Sequence, residues 1–151
     1  MLSPSNDAIC SWVFVVDASV WVSWLREDDT NHKATERWLT PARLRESEFA
    51  APALLPVEVA AAVARATPGH DDALDASDFI AALVQPNLLP IDSEMINRVR
   101  HVAAEVRLKT GDAFYVATAR LLGWDLVTWD KQQRVRGALL TPTYRPDELL
   151  G

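Results

Sequence analysis

Four carboxylates stand where a parallel α/β fold would place chemistry. Asp17 closes the apolar run Trp12 to Val16, and Asp130 closes a second run, Asp125 to Trp129. Glu58 follows Pro56 at the start of an Ala- and Val-rich stretch, and Asp112 follows Gly111 at the start of another. Each alone has an ordinary explanation: an acid in a first helical turn gains about 0.3–1 kcal/mol from the helix dipole, and Asp is a common turn former. The set is less ordinary, because all four flank runs expected to be half-buried, where unpaired charge is costly. A divalent cation would offset that charge. Oxygen-only donors suit Mg²⁺ or Mn²⁺ rather than zinc. An ion of this kind activates water and stabilises the charge growing on a phosphate, so the expected chemistry is phosphodiester hydrolysis.

Strands and helices must alternate to bring such acids together. Trp12 to Val16 reads as a buried strand, followed by helical spacing of Val20, Trp21, Trp24 and Leu25. The polar turn Glu27 to Asn31 leads into a helix that carries Ala34, Trp38 and Leu39 and ends before Pro41. Phe49 to Ala51 is a short strand, and Pro56 opens a helix over Val57 to Arg65. A helix over Asp71 to Val84 follows, with Leu74, Phe79, Ile80 and Leu83 as its apolar set. Leu88 to Ile91 is a strand, and Asp92 or Ser93 caps a helix with Met95, Ile96, Val99, Val102, Ala103 and Val106 inward. The last major helix runs from Asp112 to Leu122 and stops at Gly123, before the strand Asp125 to Trp129.

Four strands alternating with helices imply an α/β sandwich on a mostly parallel sheet. Ligands of such sheets bind beyond the carboxyl ends of the strands, and that edge also receives the N-termini of the following helices. Residues 1–11 are expected to be a loose lead-in and 12–151 a single domain.

The phrases Val16-Asp17-Ala18-Ser19, Pro56-Val57-Glu58, Gly111-Asp112-Ala113-Phe114-Tyr115-Val116-Ala117 and Leu126-Val127-Thr128-Trp129-Asp130 resemble the four acidic motifs of PIN-domain ribonucleases. The likeness is greatest to the VapC-type toxins of bacterial toxin–antitoxin pairs, and it spans Trp12 to about Leu140. It implies a PIN-like three-layer sandwich and Mg²⁺- or Mn²⁺-dependent cleavage of RNA. Asp17, Glu58, Asp112 and Asp130 would be the catalytic and metal-binding acids, with the hydroxyls of Ser19 and Thr128 supporting them. It also implies a homodimer blocked by a small cognate antitoxin. Two other readings keep the same residues: a PIN nuclease of RNA processing without a toxin role, and a PIN-like module that binds without catalysis.

Composition bounds the partners. With 15 Lys and Arg against 21 Asp and Glu, the chain carries −6 at neutral pH, which excludes a bulk electrostatic binder of nucleic acid. RNA affinity would then require the divalent ion and local arginines. Arg98, Arg100 and Arg107, with Lys109 just beyond, are the candidate phosphate-binding lip, since the Arg fork suits phosphate. No run reaches the roughly 20 apolar residues of a membrane span, and the one cysteine, Cys10, has no internal partner. A cytoplasmic location is expected. Of the six tryptophans, Trp12, Trp21, Trp24 and Trp129 lie in apolar patterns, whereas Trp38 and Trp124 are candidates for exposure. His32, His70 and His101 are scattered and expected at the surface. Glycine motifs for dinucleotides or a P-loop are absent, and Asp17 lacks the second Asp two residues on that a haloacid-dehalogenase-type phosphatase uses.

Overall fold

The computed structural model describes residues 12–150, so the expected lead-in and Cys10 lie outside the described residues. Five strands form one sheet in the order β3-β2-β1-β4-β5, and every pairing is parallel. They are β1 (Val13–Val16), β2 (Glu48–Pro52), β3 (Leu88–Leu89), β4 (Asp125–Val127) and β5 (Thr143–Tyr144). Seven α-helices flank them among the described residues: α1 (Ala18–Leu25), α2 (His32–Leu44), α3 (Leu55–Ala66), α4 (His70–Val84), α5 (Ser93–Val106), α6 (Thr110–Leu122) and α7 (Lys131–Gly137). The result is the expected α/β sandwich on a parallel sheet. Among the described residues, no helix is long and apolar enough to cross a membrane.

The sheet centre is apolar on both faces, as a parallel sheet covered by helices requires. Val15, Val16, Ala50, Ala51, Leu126 and Val127 are fully buried, and α6 packs across β1, β2 and β4 with an almost continuous buried run from Ala113 to Ala119. Aromatic rings close the α1–α2 side. Phe14 meets Trp38 edge-on at 5.2 Å, and Trp21 meets Phe49 edge-on at 5.4 Å, arrangements that add to simple area burial.

Several expectations are corrected. Trp38 is buried, because α2 lays it between Phe14 and Phe49. Pro41 does not end α2. Trp38, Leu39 and Ala42 are buried on either side of it, so core packing carries the helix through to Leu44 despite the lost N–H. In α4 the inward face is Ala73, Ser77, Ile80 and Val84, while Leu74 and Phe79 are each 47% exposed. Small residues face α3 there, and the Ser77 hydroxyl donates to the Pro56 carbonyl at 2.7 Å. In α5, Ile96 is exposed beside the buried Met95, Val99, Val102 and Val106, with Asp92 accepting from the Met95 N–H as its cap. His32 is half-buried, its Nδ1 lying 3.0 Å from the Ser23 carbonyl, whereas His70 and His101 are exposed.

Boundaries also move. β3 stops at Leu89 and β4 at Val127, both shorter than expected, and α6 begins at Thr110 with Gly111 inside its first turn. Gly123 ends α6 at φ 69, the left-handed cap its position implies. Three elements were not expected at all. The buried positions of α7 are Gln133 and Gly137, so it presents no apolar stripe; β5 is two residues long, and a single 3-10 turn covers Pro146–Leu149.

Candidate active site

β1 and β4 lie side by side in register, Val16 opposite Val127, so the chain leaves the sheet from both at the same edge. Asp17 follows β1 directly and caps α1, its Oδ2 accepting from the Ser19 N–H at 3.0 Å. Asp130 stands three residues beyond β4 and caps α7, its Oδ1 accepting from the Gln133 N–H at 2.8 Å. Glu58 and Asp112 occupy the first turns of α3 and α6. All four line one cleft of about 400 Å³, together with Ser19 and Arg65.

The burial of these acids differs and sets their chemistry. Asp17 is 7% exposed, and burial pushes its carboxyl above the ordinary range against hydrogen bonds from Ser19 and Gln133. Glu58 is pushed up to about 7, by burial first and then by the charges of Asp17 and Asp112, while a hydrogen bond from Tyr115 opposes the rise. Asp112 is pushed up to about 6 by burial and by the charges of Asp130 and Asp17, with Lys109 opposing. Like charges sharing a site repel protons' departure in this way. Among the described residues, none of the four acids forms an ion pair. Nor do three such groups stand close enough together to grip an ion as placed; the carboxylates line the walls of the cleft. Uncompensated oxygen donors that repel one another are a donor set suited to a hard divalent cation.

Two hydroxyls tie β1 to β4 at the cleft floor. Thr128, fully buried, lies 3.4 Å from both Asp17 Oδ2 and Ser19 Oγ, and accepts from the Asp130 N–H at 3.0 Å. Ser19 Oγ accepts from the Trp129 N–H at 3.1 Å. Trp129 itself turns away, and its indole N–H donates to Thr35 of α2 at 2.8 Å.

Three residues beyond the predicted acids and hydroxyls also shape the site. Tyr115, fully buried, donates to Glu58 Oε1 at 2.7 Å, although it lies inside the Gly111 to Ala117 phrase where only Asp112 was singled out. Gly111 leaves room for the same side chain, since a Cβ there would stand 3.2 Å from Glu58 Oε2. Gln133 reaches furthest. Its Nε2 donates to Asp17 Oδ1 at 3.4 Å and to the Asp112 carbonyl at 3.2 Å, while its backbone N–H holds Asp130. No sequence signal marks it, because α7 presents no apolar stripe by which the helix could be expected. Replacing it by Met keeps the volume and removes the amide; Mn²⁺ affinity by calorimetry is expected to fall about 10–100-fold with the melting temperature little changed. An unchanged affinity would dismiss this role.

The basic candidates separate. Lys109 caps α6 beside Asp112, and Arg107 is two residues before it. Arg98 pairs with Glu94 and lines a different cavity, of about 610 Å³, with His101 and Arg120. Arg100 is exposed on α5.

The PIN domain family profile matches residues 14–138, a span that contains all four acids. The chain belongs to the PIN domain family. PIN domains are generally nucleases. No curated protein matches the chain. Among solved structures, this PIN domain is similar to the structure of FitAB bound to an IR36 DNA fragment, at 17% identity and TM-score 0.70, covering 90% of this chain and 96% of that one. It is similar also to FitAcB from Neisseria gonorrhoeae, at 16% identity and TM-score 0.67, over 90% and 99% of the two chains. A third likeness is PAE2754 from Pyrobaculum aerophilum, at 23% identity and TM-score 0.60, over 91% and 92%. At these identities the likeness speaks to the fold.

Proposed function

We propose that this PIN domain is a Mg²⁺- or Mn²⁺-dependent endoribonuclease and the toxin of a toxin–antitoxin pair. The observation that carries the reading is the meeting of Asp17, Glu58, Asp112 and Asp130, from four separate elements, in one cleft, with none of them in an ion pair among the described residues. Those four would hold the cation, which when bound supplies Lewis acidity for water and offsets the charge developing on the phosphate. The chain's own groups do the positioning. Ser19, Thr128 and Gln133 orient the buried Asp17, and Tyr115 fixes Glu58. Ser19 and Thr128 also set the two strand ends against each other, so the acids of β1 and β4 keep a fixed relation.

The toxin role, with a small antitoxin as partner, rests on the resemblance of the four motifs to VapC-type proteins. A homodimer fits the apolar side chains that α3 and α4 leave in solvent, Val57 and Leu74 among them. The direct test is incubation of the purified protein with a labelled single-stranded RNA. Fragments are expected in Mg²⁺ or Mn²⁺ and none in EDTA, and expression in a bacterial host is expected to arrest growth. RNA left intact in either metal, or cut equally well in EDTA, overturns the reading.

A further inference from the structure

We propose that a cationic rim, built from the loop between α5 and α6 and from α7, seats the phosphate backbone of single-stranded RNA beside the carboxylate cleft. The inference rests on the reading above and says how that substrate is held. The rim consists of Arg107, Lys109, Lys131 and Arg136.

The loop is built to present its charges. Leu108 is buried, at 7% exposure, while Arg107 and Lys109 on either side of it are exposed. Arg107 ends α5 at φ 56 and ψ 46, a left-handed conformation that Gly or Asn adopts more readily than Arg. The Arg136 guanidinium donates to the Arg107 carbonyl and so joins this loop to α7. An arginine thus stands at a left-handed position where a glycine would relax the chain.

Position and pairing give the use. Lys109 is the N-cap of the helix whose first turn carries Asp112, and Lys131 follows Asp130 directly. Other arginines are committed: Arg120 to Glu105, Arg134 to Glu148, and Arg145 to Asp147 and Glu148, while Arg65 lines the cleft itself. Among the described residues, the four rim cations form no ion pair. In a chain of net charge −6, this places unpaired cations next to two acids of the cleft. A polyanion reaching from that cleft toward these elements meets these cations as well as Arg65 in the cleft itself, and Arg supplies the bidentate fork that phosphate favours.

The test follows RNA cleavage in Mg²⁺ at a series of KCl concentrations, for the native protein, Arg107→Gly, and the triple variant Arg107→Gly, Lys109→Gln, Lys131→Gln. Each lost phosphate contact on a single strand removes about 0.7 from the slope of log(kcat/KM) against log[salt]. The single variant is therefore expected to lose about 0.7 and the triple about 2, with KM rising by more than kcat falls. Arg107→Gly relaxes the left-handed residue, so a purely structural role predicts a melting temperature at or above native and no change in KM. Native slope and native KM in the folded variants overturn the rim while leaving the nuclease reading intact, as does a fall in kcat alone. A native protein that cuts no RNA defeats both.

Discussion

Asp17→Asn is expected to leave the protein folded and to lower RNA hydrolysis by about 10³-fold or more. Asp17 is the most buried of the four acids, and it touches Ser19, Thr128 and Gln133 at once. A bound divalent ion contributes several kcal/mol to phosphoryl chemistry, and each ~1.4 kcal/mol is tenfold in rate. Removing one anionic ligand forfeits most of that contribution. Stability moves the other way. Asn caps a helix as well as Asp, so the bond from the Ser19 N–H survives, while a buried charge without a counter-ion is removed. In EDTA the variant's melting temperature is expected to equal or exceed the native value, by about 2–4 °C for each kcal/mol of relieved repulsion. Single-turnover cleavage paired with calorimetry reads both. Near-native cleavage refutes the role given to Asp17, and a collapse in melting temperature refutes the electrostatic account.

The second large effect is in pH. Metal can bind only to ionised carboxylates, and Glu58 and Asp112 hold their protons to about 7 and about 6. Both acids are therefore mostly protonated at pH 5.5 and mostly ionised at pH 7.5. The doubly ionised site is thus much scarcer at the lower pH, and Mn²⁺ affinity is expected to fall there by about 10-fold or more. Metal-free stability runs oppositely. The folded protein holds a proton on Glu58 between 4.5 and about 7 that the unfolded chain has released, and on Asp112 between 3.8 and about 6. Stability in EDTA therefore declines as pH rises through these windows and levels off above about 7. With saturating Mn²⁺ the decline is reduced, because the ion stabilises the ionised, folded form. Titration calorimetry at the two pH values checks the first statement, and melting curves with and without metal check the second. An affinity flat from pH 5.5 to 7.5 contradicts the burial assigned to these acids.

The likeness between expectation and fold has a physical basis in each element. β1 and β4 are buried on both faces, so their apolar runs are unbroken and legible, and the acids that end them stand out against the run. Asp92 is a helix cap, whose chemistry is local and readable from a few residues. Gly123 needed only its left-handed φ. Where burial depends on a partner element, the reading failed. Trp38 is inside because α2 folds back over Phe14 and Phe49, and Leu74 is outside because α3 meets the small face of α4.

What the chain alone determined, then, was the alternation of strands and helices, the family motifs, and the four acids at one edge of a sheet. Those depend on periodicity, caps and residue type, which act over a few residues. Only the tertiary structure decided what surrounds the acids. Gln133 lies 116 positions from the Asp17 carboxylate it donates to, and Tyr115 lies 57 from Glu58. The same holds for the cations: Arg98 drops away from the cleft, and Arg136 joins Arg107 across 29 positions. Pairings across such distances are set by how the helices pack on the sheet, and no local pattern of residues encodes them.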